Sequence, residues 1–256
     1  MFNFDKRYIY IVLIFVFLYF VVSSITAGTM SIENLILFIP AILIAITFHE
    51  FAHAFVATKL GDDTPRLQGR LTLNPLKHLD PIGTILLFTV GMGWGKPVTI
   101  NPTRFNRKIS MKKGQALVAL AGPLMNMILA LIFTIILGIT LRIANLNMMG
   151  LDMILSGYGD ANFFLEGLIL FLYQTIFINI GLGVFNLLPL PPLDGSKILI
   201  SVLPDKASNW VITHETLFSL IFVVLWITNL ASYIITPAIN AISLGMLRLM
   251  SFIIKI

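Results

Sequence analysis

His49-Glu50-Phe51-Ala52-His53 sets two imidazoles four residues apart, with a carboxylate directly after the first. On a helix, four residues turn the chain by about 400°, so the two rings stand about 40° apart and about 6 Å along the axis, near enough to share one metal ion. Glu50 lies about 100° around from His49, beside such an ion and able to take a proton from a water held there. The chain holds four His and 12 Asp plus Glu in 256 residues. At that frequency, two His four apart with an acid after the first would arise by chance only about 0.003 times.

Catalytic zinc sites use three protein ligands and keep a position for water, so His49 and His53 require a third. The chain has no cysteine, which leaves His, Asp and Glu. His78 and His214 fall in polar stretches and read as solvated loop residues. Asp62, Asp63 and Asp80 sit in a charged loop. Asp194 is the best candidate, at the end of Asn186-Leu187-Leu188-Pro189-Leu190-Pro191-Pro192-Leu193-Asp194-Gly195. Here prolines stop an apolar helix and free backbone carbonyls, which is tolerable beside a polar cavity. An ordinary Asp-Gly turn is the alternative.

The elements that must carry these groups are apolar. Hydrophobic residues make up 57% of the chain and charged ones 11%, against roughly 25% charged in a soluble domain. A soluble globular protein is thereby excluded, and lipid must cover most of the exterior. Apolar runs occupy about residues 8–26, 35–57, 116–141, 163–188 and 217–235, and a last helical stretch opens at Pro237. The first run is long enough to span, yet Lys6 and Arg7 before it and small residues after it also fit a signal peptide. Ten of the 17 Lys and Arg lie from Lys59 to Lys113. That distribution marks 59–113 as cytoplasmic by the positive-inside rule. The runs then alternate so that the second and fourth travel in one direction, bringing Asp194 to the leaflet of His53. No aromatic-interleaved basic motif supports nucleic-acid binding.

Within 59–113, residues 66–74 alternate over their second half like a short strand. Residues 82–93 form an apolar run too short to span, which reads as a re-entrant or interfacial segment. Gly91 to Pro97 lacks the spacing of a phosphate loop and reads as a surface turn. Ala121, Gly122 and Pro123 would let the third run pack closely on the helix of the His pair. Asn126 either reaches the site or bonds a neighbouring helix.

The chain resembles the site-2 protease family of intramembrane metalloproteases. The likeness rests on His49-Glu50-Phe51-Ala52-His53, Gly69-Arg70-Leu71-Thr72-Leu73-Asn74-Pro75, Ala121-Gly122-Pro123-Leu124-Met125-Asn126 and the Asn186 to Gly195 segment, spread over about residues 35–200. It implies that His49, His53 and Asp194 hold one Zn2+, that Glu50 activates water, and that Asn186 stands beside the substrate carbonyl. The accessory peptide-binding or nucleotide-binding modules of some relatives find no room here, so a minimal form is expected. The resemblance further implies a bacterial or archaeal cell membrane.

The reading is an all-α polytopic membrane protein of five or six transmembrane helices, with a small β element and a re-entrant segment in the cytoplasmic loop. Residues 1–256 form one domain whose catalytic core covers about 35–200. Its expected activity is zinc-dependent endopeptidase cleavage in or beside a membrane-anchored substrate's helix, with the active site toward the cytoplasmic side. Expected partners are that membrane-spanning substrate and the bilayer, with no nucleic acid; the sequence fixes no oligomeric state. A transporter or a non-hydrolytic zinc-binding protein is the alternative. Transporters usually show repeated halves, of which there is no sign, and a passive metal site has no need of Glu50.

Overall fold

The structure is a computed structural model that describes residues 23, 32–84, 93 and 95–255. The first apolar run, 8–26, lies outside the described residues apart from Ser23, as does most of the expected re-entrant run.

The described residues are helical, without a strand. Helix α1 covers Ile32–Lys59, α2 is the single turn Thr64–Leu67, and α3 covers Met111–Ile143. Then come α4 (Met148–Leu155), α5 (Phe163–Asn186), α6 (Asp194–Val202), α7 (Asp205–Thr213), α8 (Glu215–Ile227) and α9 (Ser232–Lys255). The long helices begin and end on recognisable signals. Asn162 caps α5 by accepting the Leu165 amide at 2.9 Å, and Glu166 lies in its first turn, where a negative charge meets the positive end of the helix dipole. Helix α3 closes with Asn145 at φ 56°. The Asn145 and Leu146 amides turn back to the carbonyls of Arg142 and Leu141 at 3.0 and 2.9 Å, a Schellman closure.

Among the described residues, four helices are long and apolar enough to cross a membrane: Ile36–Lys59, Met111–Ile143, Phe163–Asn186 and Ser232–Lys255. At 24 to 33 residues they reach about 36 to 50 Å, against a hydrocarbon core of about 30 Å. Helices α7 and α8 meet at 67° and make a fifth span if the bent pair counts as one. The expected single span over 217–235 is therefore divided. Helix α8 stops at Ile227 and α9 begins at Ser232, because Asn229 adopts φ 58°, a left-handed conformation that asparagine tolerates better than most residues. The last stretch, expected to open at Pro237, is a helix of 24 residues that begins earlier, at Ser232, with Pro237 inside it.

Helix α3 is the centre of the bundle and packs most extensively on α5, then on α1. Its inward face carries Ala130, Thr134, Leu137 and Leu141, at three- and four-residue steps, against Leu172, Ile176 and Ile180 of α5. Leu117, Leu124, Ile128 and Ile139 face outward and are exposed, as a lipid-facing helix requires. Along α1, Ala45, His49 and His53 meet Asn126, Gly122 and Val118 of α3 in reverse order. Along α5, Asn179 and Gly183 meet Asn126 and Pro123, again in reverse. Both α1 and α5 thus run antiparallel to α3 and share one direction.

The loop between α1 and α3 departs from expectation. Residues 70–74 form no strand, and the described residues hold one isolated bridge, Leu79 with Gly95. The polar side chains of the segment make local bonds instead of facing across a ladder. Buried Arg70 donates to the Lys77 carbonyl and, at 3.4 Å, to that of Pro97, while Asn74 caps the turn Pro75–Lys77. His78 is not a solvated loop histidine: it is fully buried, with Nε2 2.8 Å from the Thr72 carbonyl. Asp62 is also fully buried and accepts the amides of Thr64 and Asn101 at 2.9 and 2.5 Å.

Candidate metal centre

His49 and His53 lie one turn apart on the buried face of α1, and Asp194 opens α6 just beyond the prolines that end α5. The common direction of α1 and α5 brings these ends together. His49 Nε2 and His53 Nε2 are 3.0 Å apart, and Asp194 Oδ2 is 3.2 Å from the first and 3.0 Å from the second. Among the described residues this is the group of three able to hold a metal ion.

The outer bonds of the two rings decide what the centre can contain. His49 Nδ1 donates to Asn126 Oδ1 at 2.6 Å, and His53 Nδ1 donates to the Val118 carbonyl at 2.6 Å. A neutral imidazole with Nδ1 protonated presents a lone pair at Nε2. Two lone pairs and a carboxylate oxygen therefore face one another in an apolar helix bundle, an arrangement that repels unless positive charge lies among them. One proton could bridge only one pair; a divalent cation satisfies all three. The separations also fit, since ligands about 2.0 to 2.1 Å from a tetrahedral zinc stand about 3.3 Å apart. Two imidazoles and one carboxylate, each ring oriented by an outer acceptor, match in donor type the protein ligands used at catalytic zinc sites.

Two glycines make this approach possible. A Cβ on Gly122 would lie 2.4 Å from His53 Nε2 and 2.6 Å from His49 Nε2, so the close-packing role expected of Ala121 to Pro123 falls on Gly122. A Cβ on Gly195 would meet the Leu187 and Leu188 carbonyls at 2.3 Å, and its absence lets α6 start against the end of α5. Gly122→Ala is expected to displace the imidazoles and strip most of the metal after dialysis. Gly167→Ala, at a glycine with nothing within 4 Å of its Cβ position, is expected to keep it. Metal analysis of the two purified variants checks both, and equal metal content would refute the close-approach argument.

Glu50 and Asn186 line the same cleft, of about 390 Å³. Glu50 Oε2 accepts the Val98 amide at 3.0 Å, so the loop after Gly95 holds the carboxylate in place. Asn186 stands on the last turn of α5, and one of its amide hydrogens goes to the Leu182 carbonyl at 3.0 Å. Sequence reasoning left Asn126 open between two roles, and the structure gives it both. It missed Lys197, in the cleft with Nζ 3.6 Å from Asp194 Oδ1, which only the helical spacing of three from Asp194 could have signalled. It also missed Asn179, whose signal was a lone amide within an apolar run. Asp62, Asp63, Asp80, His78 and His214 do not belong to the metal group. An apolar cavity of about 430 Å³ adjoins the cleft, sharing Ile42, Gly93, Leu182 and Phe185 with it.

A bundle of membrane-length apolar helices, with a three-donor metal centre and a carboxylate lining the same cleft, defines a membrane metalloenzyme. The family model of peptidase family M50 matches residues 37–228. Among curated proteins, "Putative zinc metalloprotease YwhC" of Bacillus subtilis is 40% identical over 214 residues, covering 84% of this chain and 90% of its own. "Putative zinc metalloprotease Rip2" of Mycolicibacterium smegmatis is 30% identical over 210 residues, 80% of this chain and 69% of its own. "Zinc metalloprotease MJ0392" of Methanocaldococcus jannaschii is 26% identical over 192 residues, 75% and 41%. No solved structure matches. The chain belongs to peptidase family M50, the site-2 protease family, and is an integral membrane metallopeptidase.

Proposed function

We propose that this chain is a zinc-dependent intramembrane endopeptidase that hydrolyses a peptide bond in or beside a transmembrane helix of a membrane-anchored protein. The observation that carries the reading is the convergence of His49 Nε2, His53 Nε2 and Asp194 Oδ2 within a bundle of apolar helices. His49, His53 and Asp194 hold the zinc. When bound, zinc supplies Lewis acidity toward a carbonyl oxygen and toward water. Glu50 takes a proton from the attacking water as its oxygen bonds to the scissile carbonyl carbon, then delivers that proton to the departing nitrogen as the C–N bond breaks. A carboxyl end and an amine end result. Asn186 directs its amide toward the carbonyl oxygen. The catalytic core covers about residues 35–200 of a single unit, and the centre lies toward the cytoplasmic side, as the Lys and Arg of 59–113 favour. The names of the relatives support the metal and the reaction class.

A helical substrate hides its carbonyls in bonds to amides four residues on, so the turn to be cut must open first. Glycine costs a helix about 1 kcal/mol and proline about 3. Substrates with Gly or Pro near the cut are therefore expected to be cleaved faster than the parent, and a Leu-rich replacement slower. Cleavage rates in proteoliposomes at matched substrate density check this. Equal rates in all would remove helix opening as the limiting requirement.

A further inference from the structure

Asn126 and Asn179 are both fully buried within spanning helices α3 and α5. A polar side chain at such a depth needs partners, and their bonds form one directed chain. Asn179 Nδ2 donates to the Thr175 carbonyl at 2.8 Å. Asn126 Nδ2 donates to the Ala45 carbonyl at 3.1 Å and to Asn179 Oδ1 at 2.8 Å. Asn126 Oδ1 then accepts from His49 Nδ1 at 2.6 Å. The sense of the chain is fixed at its ends by backbone. The Thr175 and Ala45 carbonyls only accept, so each asparagine must turn its NH2 toward them and its oxygen away.

The geometry points to Asn179 as a positioning residue for the metal centre: anchored on the Thr175 carbonyl, it orients the Asn126 amide and through it fixes the tautomer of His49. Were the Asn126 amide to flip, its NH2 would face His49 Nδ1, which would then have to accept. The ring proton would move to Nε2, and His49 could no longer ligate. Asn179 and the Ala45 carbonyl together oppose that flip, because each would set an oxygen against the Asn126 oxygen, acceptor against acceptor. Thus a residue on α5 that is not itself a donor to the metal reinforces the orientation by which α1 presents a lone pair. This inference rests on the reading of His49 as a zinc ligand.

The test uses the purified full chain, with Zn2+ affinity read by competition with a chelator and the ligand field read from the visible spectrum of the Co2+-substituted protein. Asn179→Leu removes both bonds at similar volume and is expected to weaken Zn2+ binding about tenfold or more, within the range seen when a group orienting a ligand is lost. Asn179→Ala carries the same expectation should the leucine disturb packing. Asn179→Asp is the rescue. In its neutral form the carboxyl of that variant can accept from Asn126 through its C=O and donate its O–H to the Thr175 carbonyl. It is expected to bind Zn2+ within about twofold of the native chain, because it restores the orienting bonds, and to keep the native Co2+ spectrum. Native affinity in folded Asn179→Leu or Asn179→Ala overturns the inference, as does an Asn179→Asp chain as weak as the leucine variant. His53→Ala serves as the reference: if it also binds Zn2+ like the native chain, the zinc assignment itself fails.

Discussion

His49→Ala, His53→Ala and Asp194→Ala should each reduce bound zinc from about one per chain to a small fraction, since two remaining donors cannot close a catalytic site. The three nitrogen and oxygen atoms face one another within 3.0 to 3.2 Å, so each deletion opens the same centre. Asp62→Ala provides the contrast. It strands the amides of Thr64 and Asn101, which Asp62 accepts, at about 1–3 kcal/mol for each buried unsatisfied group. The variant should unfold more readily and still carry its zinc. Metal analysis beside thermal unfolding separates the two effects, and full zinc in Asp194→Ala would leave the ligand set without its third member.

Glu50→Gln should behave in the opposite way, keeping zinc and fold while losing hydrolysis by roughly 10²–10⁴-fold, the usual weight of a positioned general base. Glutamine retains the shape and an oxygen for the Val98 amide, which Glu50 accepts at 3.0 Å, but it cannot take a proton near neutral pH. Turnover near the native rate with zinc in place would assign the base to another group.

The parts legible in the sequence were those encoded by local spacing or by direction of travel. His49, Glu50 and His53 follow from helical geometry, and Asp194 from the absence of cysteine together with the shared direction of α1 and α5. What stayed hidden depends on packing between distant segments. The approach of α3 that aims Asn126 at His49, and the meeting of Asn126 with Asn179 of α5, are set by helix register, which no local pattern states. The alternation of 66–74 suggested a strand because side-chain polarity was visible, whereas the Arg70 bonds to the Lys77 and Pro97 carbonyls were not. The break at Asn229 is hidden in the sequence because it falls within a largely apolar run, with neither glycine nor proline between Ile227 and Ser232.

In the proposed mechanism Glu50, beside zinc held by His49, His53 and Asp194, serves the cleavage of a peptide bond at the membrane. The most direct measurement compares the native chain with Glu50→Gln, equally loaded with zinc, on membrane-anchored proteins in bilayers, with the fragments mapped by mass spectrometry. The native chain is predicted to yield fragments whose new ends fall in or next to a transmembrane helix, and Glu50→Gln to yield them at no more than about a hundredth of the native rate. Identical fragments from both chains at similar rates, or new ends confined to regions remote from any membrane helix, would contradict it.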